Sequence, residues 1–150
     1  MNNKKKGTRF EEDFAEFLAS RGYWVHLVAG NSYTNSQIAD IICCKNNNVW
    51  IIDCKTLENK SGNFTLQRLE ENQRLSYQKF KECGNGNYFL SILWNNNIYF
   101  VNLSNLDFNN KKSINVKDLI IIKRNFYKNI DELKSEWYNK YVQISIRSLY

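Results

Sequence analysis

The sequence predicts an α/β fold: a mixed central sheet with helices on its faces. Two observations carry this prediction. Helical and strand periodicities alternate along the chain as α-β-β-β-α-β-β, with one more helical pattern near the C-terminus, which is the order of a mixed sheet rather than of a bundle or sandwich. The 150 residues are also 43% hydrophobic and 15% aromatic, enough for one buried core and too few for two ordinary domains. With 24% charged residues, no proline and no apolar run near the ~20 residues that cross a bilayer, collagen-like, disordered and membrane-spanning classes are excluded.

The elements follow in order. From Thr8 to Arg21, Phe10, Phe14, Phe17 and Leu18 recur at helical spacing, Glu12, Asp13 and Glu16 lie on the other face, and Gly22 stops the helix. Tyr23 to Ala29, Ile38 to Cys44 and Val49 to Cys54 read as strands, and Asn46-Asn47-Asn48 joins the last two into a hairpin. A polar loop holding Ser61-Gly62-Asn63 precedes a second long helix from about Leu66 to Cys83, with Leu66, Leu69, Tyr77 and Phe80 on its apolar stripe and Gly84 and Gly86 closing it. Tyr88 to Trp94 and Ile98 to Val101 form another strand pair around Asn95-Asn96-Asn97, and Leu119 to Ile122 adds a short strand. Ile130, Leu133, Trp137 and Tyr141 mark a terminal helix. The scattered asparagines read as a compositional bias. No repeat or linker divides the chain, so one domain spans 1–150, with a core at about 7–102 and a C-terminal extension at about 103–150.

A net charge of +6 favours a polyanionic partner. The basic start, Lys4-Lys5-Lys6, is not followed by the apolar stretch of a signal peptide, so the expected location is cytoplasmic. Cys43, Cys44, Cys54 and Cys83 match no zinc spacing, and His26 has no ligand partner at a useful distance in sequence. Reduced cysteines, three of them in strands, are expected.

Chemistry concentrates in Asp53-Cys54-Lys55, where an acid and a base two residues apart share one face at the carboxyl end of an apolar strand. Taken alone, such a pair is more often a solvated strand end. Asp40 is the second signal, because it interrupts the apolar run Ile38 to Cys44 where a carboxylate needs a cation. Hairpin pairing can set Asp40 beside Asp53, and two adjacent carboxylates call for a neutralising ion. Mg²⁺ suits an oxygen-only site, with Mn²⁺ as a substitute, and Lys55 supplies a fixed positive charge. Glu11 borders the apolar stripe through Phe14 and Leu18 and is the helix acid able to reach the sheet, whereas Glu12 and Asp13 face away. Gln73 lies on the stripe of the second helix, where a buried amide must find polar partners.

Gly7-Thr8-Arg9-Phe10-Glu11, then Asp40, then Asp53-Cys54-Lys55 resembles the Glu, Asp, (Asp/Glu)-x-Lys pattern of PD-(D/E)xK nucleases. More specifically, Lys55-Thr56, Asn59-Lys60-Ser61, Phe64, Leu66, Gln73, Gly84, Gly86 and the strand Tyr88 to Trp94 are similar to RecU-type Holliday junction resolvases, and Lys111-Lys112-Ser113-Ile114 with Lys117-Asp118 continue the likeness. The resemblance covers roughly residues 7 to 120. It implies a restriction-endonuclease-like sheet with an extra C-terminal helix, and a Mg²⁺-dependent, structure-selective endonuclease acting as a homodimer on branched DNA in recombination and repair. Asp40, Asp53, Gln73 and Glu11 would then serve the metal, and Lys55 the transition state. Lys4, Lys5, Lys6, Arg9, Lys60, Arg68 and Arg74 are candidate phosphate contacts. The sequence departs from the RecU type in carrying Asp before Cys54 in place of the usual Glu, Ile38 in place of a Thr, and a short segment from Val28 to Gln37 where the RecU stalk would be. Archaeal resolvases of the superfamily lack that stalk and keep a loop serine, for which Ser32 and Ser36 are candidates. The alternatives are a nuclease of this fold for flaps, duplex ends or restriction-like targets, and a non-catalytic DNA-binding module.

Overall fold

Lysine is a good helix former and a single glycine costs a helix only about 1 kcal/mol, so Lys4, Lys5, Lys6 and Gly7 do not hold back the first helix. In the computed structural model, which describes residues 3–28 and 39–128, α1 spans Asn3–Ser20 and so begins ahead of Thr8. It ends as expected. Gly22 takes φ +87°, a left-handed value cheap only for glycine, and its N–H donates to the Ala19 carbonyl at 2.9 Å while that of Tyr23 reaches Leu18 at 3.2 Å.

The strands are β1 (Trp24–Leu27), β2 (Ile41–Lys45), β3 (Asn48–Thr56), β4 (Asn63–Thr65), β5 (Tyr88–Trp94), β6 (Asn97–Asn102), β7 (Ser113–Asn115) and β8 (Ile120–Lys123), with α2 at Glu71–Glu82. Six of them form the central sheet in the order β1-β2-β3-β5-β6-β8, and only β3 and β5 run parallel. A parallel neighbour requires a crossover, and α2 lies within the one joining β3 to β5. The small pair β4–β7, which the sequence reading leaves as loop, sits apart from the sheet. Gly62, at φ +77°, leads into it; a Cβ there would meet Val116 Cγ2 at 3.0 Å.

Each face carries its own core. Phe10, Phe14, Ala15 and Leu18 of α1 pack on Ile41, Cys43, Ile52 and Cys54, with Ile98 and Phe126 completing the cluster. Full burial of a Phe side chain is worth about 1.5–3 kcal/mol, and both Phe10 and Phe14 are fully buried. On the opposite face Ile51, Tyr88, Leu90, Ile92 and Trp94 pack with Phe64, Leu66, Leu69 and Val116, while Tyr77 and Phe80 of α2 lean on this cluster. The described part of the segment after residue 103 is built into the fold, since β8 is a sheet strand and Leu103, Val116 and Phe126 are buried.

Two expectations are corrected. The long helix from Leu66 is broken: Leu66–Arg68 forms one 3₁₀ turn, Leu69 and Glu70 are extended, and α2 starts at Glu71. Leu66 and Leu69 are pulled into the core, which takes that segment off the helix axis. Asp13 does not face away; it is buried, with its carboxylate 3.4 Å from Arg9 Nε and near enough to the Tyr127 hydroxyl to hold that hydroxyl's pKa up. Tyr127 belongs to a 3₁₀ turn, Phe126–Lys128, that folds onto α1 and covers Asp13. All four cysteines are free, and Cys83 is exposed. The terminal helix expected around Ile130 to Tyr141, and Ser32, Ser36 and Ile38, lie outside the described residues. No helix among the described residues is long and apolar enough to cross a membrane.

Candidate active site

The β2–β3 register pairs Ile41 with Ile52, and its next step sets Asp40 opposite Asp53. Asp40 is not in mid-strand, as the apolar run suggested, but at the bend just before β2. Its N–H still donates to the Ile52 carbonyl at 3.2 Å. Asp53 and Lys55 lie in the carboxyl-terminal part of β3, which continues one residue further than Lys55 to Thr56, and Asp53 is fully buried. Past Ile52, β3 has β5 on one side and β2 no longer on the other, so the sheet opens on one flank of Asp53, Cys54 and Lys55.

Four elements bring polar side chains to this opening. Asp40 Oδ2 accepts the Cys54 N–H at 2.7 Å. From α2, Gln73 is buried, and its Nε2 donates to Asp53 Oδ1 at 3.2 Å while its Oε1 accepts the Glu70 N–H at 3.1 Å. Both ends of the amide are thus engaged, and the cap at the start of α2 fixes which end faces Asp53. From β5, Tyr88 is buried beside Asp53, and its hydroxyl favours the ionised carboxylate. From α1, Glu11 lies near enough for Asp40 and Lys55 to act on its charge.

Electrostatics reports the same convergence. Burial, reinforced by Asp40 and relieved in part by Lys55, pushes both Asp53 and Glu11 up to about 7. Asp40 is raised mainly by burial, against the Cys54 hydrogen bond and Lys55, which lower it. Glu70 adds negative potential at Asp40 and Asp53. Among the described residues one cation, Lys55, therefore acts on several acids.

This surplus of negative charge is what a divalent ion relieves, and the donor chemistry fits one. Asp53 Oδ2 is buried with no hydrogen-bond partner among the described residues, a costly condition for a carboxylate oxygen unless a cation takes it up. Among the described residues no three of His, Cys, Asp and Glu form a ready ligand cluster. A hard cation held by one or two carboxylates, with water or phosphate oxygens filling its other positions, suits that arrangement.

The expected phosphate contacts divide. Lys4 and Lys5 are carried on the first turn of α1. Lys6 meets Glu58 at 3.3 Å, both well exposed. Arg9 spans Asp13 and the Tyr127 ring. Lys60 is exposed, and Arg68 lies over the Phe64 ring. Arg74 is turned inward, with Nη2 donating to the Leu66 carbonyl at 2.8 Å and the guanidinium over Phe108, so it holds the loop before α2. The sequence reading missed Tyr88 and Glu70. Tyr88 looks like any strand aromatic; Glu70 had a signal, since an acid three residues before Gln73 is a capping pattern.

Comparison with known proteins accords with this arrangement. The Holliday junction resolvase Hjc of the archaeal hyperthermophile Archaeoglobus fulgidus is similar in structure, with a TM-score of 0.60 and 20% sequence identity over 77% of this chain and 96% of that one. That likeness gives the mixed, restriction-endonuclease-like sheet flanked by helices. No curated protein matches the chain. The model of the archaeal Holliday junction resolvase (Hjc) family matches residues 2–137. The chain belongs to that family of metal-dependent endonucleases that act on branched DNA.

Proposed function

We propose that the chain is a single-domain, Mg²⁺-dependent, structure-selective endonuclease that cuts DNA at four-way junctions as a homodimer in the cytoplasm, with Mn²⁺ able to replace Mg²⁺. The observation that carries this reading is Asp53 Oδ2, buried with no hydrogen-bond partner among the described residues, on a carboxyl whose ionisation Asp40 opposes and Lys55 favours. Asp40 and Asp53 would hold the ion, with Glu11 at its border. When bound, it would acidify a water and draw charge from the scissile phosphate. Lys55 places a fixed positive charge where the phosphate gains negative charge, which is stabilisation preorganised by the strand. Gln73 acts on Asp53 through its hydrogen bond. Lys4, Lys5, Lys6, Arg9, Lys60 and Arg68 supply contacts to phosphates, and Ser32 and Ser36 are the candidates in sequence for the serine that archaeal resolvases keep.

The likeness to the RecU type rests on Lys55-Thr56, Phe64, Gln73 and the turn at Gly84 and Gly86. The short segment 28–37 sets the chain apart from the RecU stalk and favours the archaeal form of junction binding. Two-fold symmetry suits two symmetric cuts in a junction. The test is cleavage of labelled four-way junction, flap, duplex and single strand with Mg²⁺, Mn²⁺ or EDTA. Paired metal-dependent nicks in the junction, at rates well above the other substrates, are expected. Equal cleavage of flap or duplex would remove the junction preference, and binding without any cleavage would make the chain a DNA-binding module.

A further inference from the structure

We infer that Tyr88 is a positioning residue that, together with Gln73, aims the free oxygen of Asp53 into the ion site; this rests on the metal-site reading above. Tyr88 and Asp53 are both fully buried, on neighbouring parallel strands. The register pairs Tyr88 with Ile51, so its side chain emerges on the same face as Ile51, Asp53 and Lys55. Its hydroxyl lies beside the Asp53 carboxyl, where as a donor it favours the ionised form. The ring cannot swing away, because Tyr77 and Phe80 meet it edge-on with centroids 5.8 and 5.9 Å distant.

Gln73, Tyr77 and Phe80 stand at i, i+4 and i+7, one face of α2. One helix face therefore delivers the amide that grips Asp53 Oδ1 and the two rings that hold Tyr88 against the same carboxyl. A carboxylate has rotational freedom about its Cβ–Cγ bond that a single donor does not remove. Gln73 from one element and the Tyr88 hydroxyl beside it from another limit that freedom, and Oδ2 has no hydrogen-bond partner among the described residues. Partners of this kind orient a ligand before the ion arrives, and their loss typically weakens metal affinity by about 10–100-fold. The acid of the Asp-x-Lys pair is thus set by a tyrosine at the start of β5 and by the α2 face that packs on it.

The experiment uses the full chain and Mn²⁺ alone as probe. Thermal melting is followed against Mn²⁺ concentration for wild type, Tyr88→Phe, Asp53→Asn and, as a control on the same helix, Leu75→Ala, whose side chain is exposed. We expect a Mn²⁺-dependent rise in wild type and Leu75→Ala, loss of most of it in Asp53→Asn, and for Tyr88→Phe a full rise whose midpoint moves to at least about ten-fold higher Mn²⁺. A Tyr88→Phe midpoint equal to wild type, with Asp53→Asn unresponsive, overturns the role of Tyr88 and leaves the metal site standing. No Mn²⁺ response in wild type overturns the metal site itself. Should Tyr88→Phe not fold, Phe80→Leu loosens the ring and keeps the hydroxyl; a midpoint raised several-fold supports the inference, and an unchanged one overturns it.

Discussion

Asp53 concentrates the chemistry in one side chain: its Oδ1 is held by Gln73, the Tyr88 hydroxyl favours its ionised form, and its Oδ2 has no hydrogen-bond partner among the described residues. Asp53→Asn keeps the shape and removes the charge, so it should abolish strand cleavage while leaving DNA binding within a few-fold, because phosphate contacts come from other residues. Lys55→Ala should do the same. Single-turnover cleavage with Mg²⁺, alongside binding measured in Ca²⁺, checks both; near-wild-type turnover by either variant would remove the proposed site. At this scale the sequence was informative where chemistry conflicts with surroundings. Acids in apolar runs, as at Asp40 and Asp53, and an amide on an apolar stripe, as at Gln73, stand out because burial without partners is costly. Tyr88 does not stand out, since a buried tyrosine satisfies every pattern of a strand core. Asp13 was misplaced for the converse reason: the residue that makes its burial tolerable, Tyr127, lies more than a hundred positions further along the chain.

Helix and strand types were legible from periodicity, and β5 was bounded correctly because Gly86-Asn87 and the asparagines after Trp94 punctuate it. The start of α2 was not, since Leu66 and Leu69 fit a helical stripe while serving the core from a 3₁₀ turn and an extended residue. The scatter of asparagines reads as compositional, but the runs at 46–48 and 95–97, read as strand connections, are turn formers. Asn46 and Asn47 at φ 52° and 64°, and Asn95 and Asn96 at 48° and 61°, make the two-residue hairpin turns that match strand twist, and Asn125 at 50° is a further left-handed position. The two turns respond differently to substitution. Asn47→Ala should cost about 1 kcal/mol, since alanine tolerates the left-handed region poorly, whereas Asn47→Gly should be neutral or stabilising. Asn96 also accepts the Tyr127 N–H on its Oδ1 at 2.9 Å. Asn96→Gly should therefore destabilise by about 0.5–1.5 kcal/mol despite the easier backbone. Urea unfolding of the three variants decides; equal effects of glycine at 47 and 96 would show that the side-chain bond contributes nothing.

For the molecule as a whole, the net charge of +6 and the proposed contacts to phosphate predict junction binding that weakens with salt, each contact adding about −0.9 to the slope of log K against log salt on duplex DNA. A flat response between about 50 and 200 mM salt would point to a partner other than DNA. The acids of the site make a second global quantity, stability, depend on pH and on metal. Asp53 and Glu11 titrate near 7 in the folded chain because burial and Asp40 oppose their ionisation, against ordinary values of 3.8 and 4.5. Between those limits the folded state holds protons that the unfolded state has released, so stability falls as pH rises from about 4 to 7 and levels off above. Metal-stripped protein should accordingly melt higher at pH 5 than at pH 7.5. Asp40→Asn removes one of the repelling charges while its amide oxygen can still accept the Cys54 N–H, so it should raise the metal-free melting temperature at pH 7.5, change it little at pH 5, and flatten the profile between. Saturating Mn²⁺ at pH 7.5 should restore the wild type, since an ion bound only by the folded chain stabilises it by mass action, and that increment should shrink in Asp40→Asn with the loss of a ligand. A surface carboxylate would do neither. Melting curves of both proteins at the two pH values, with and without Mn²⁺, test the coupling directly: if Asp40→Asn lowers the metal-free value at pH 7.5 and leaves the Mn²⁺ increment intact, Asp40, Asp53 and Glu11 do not share one site.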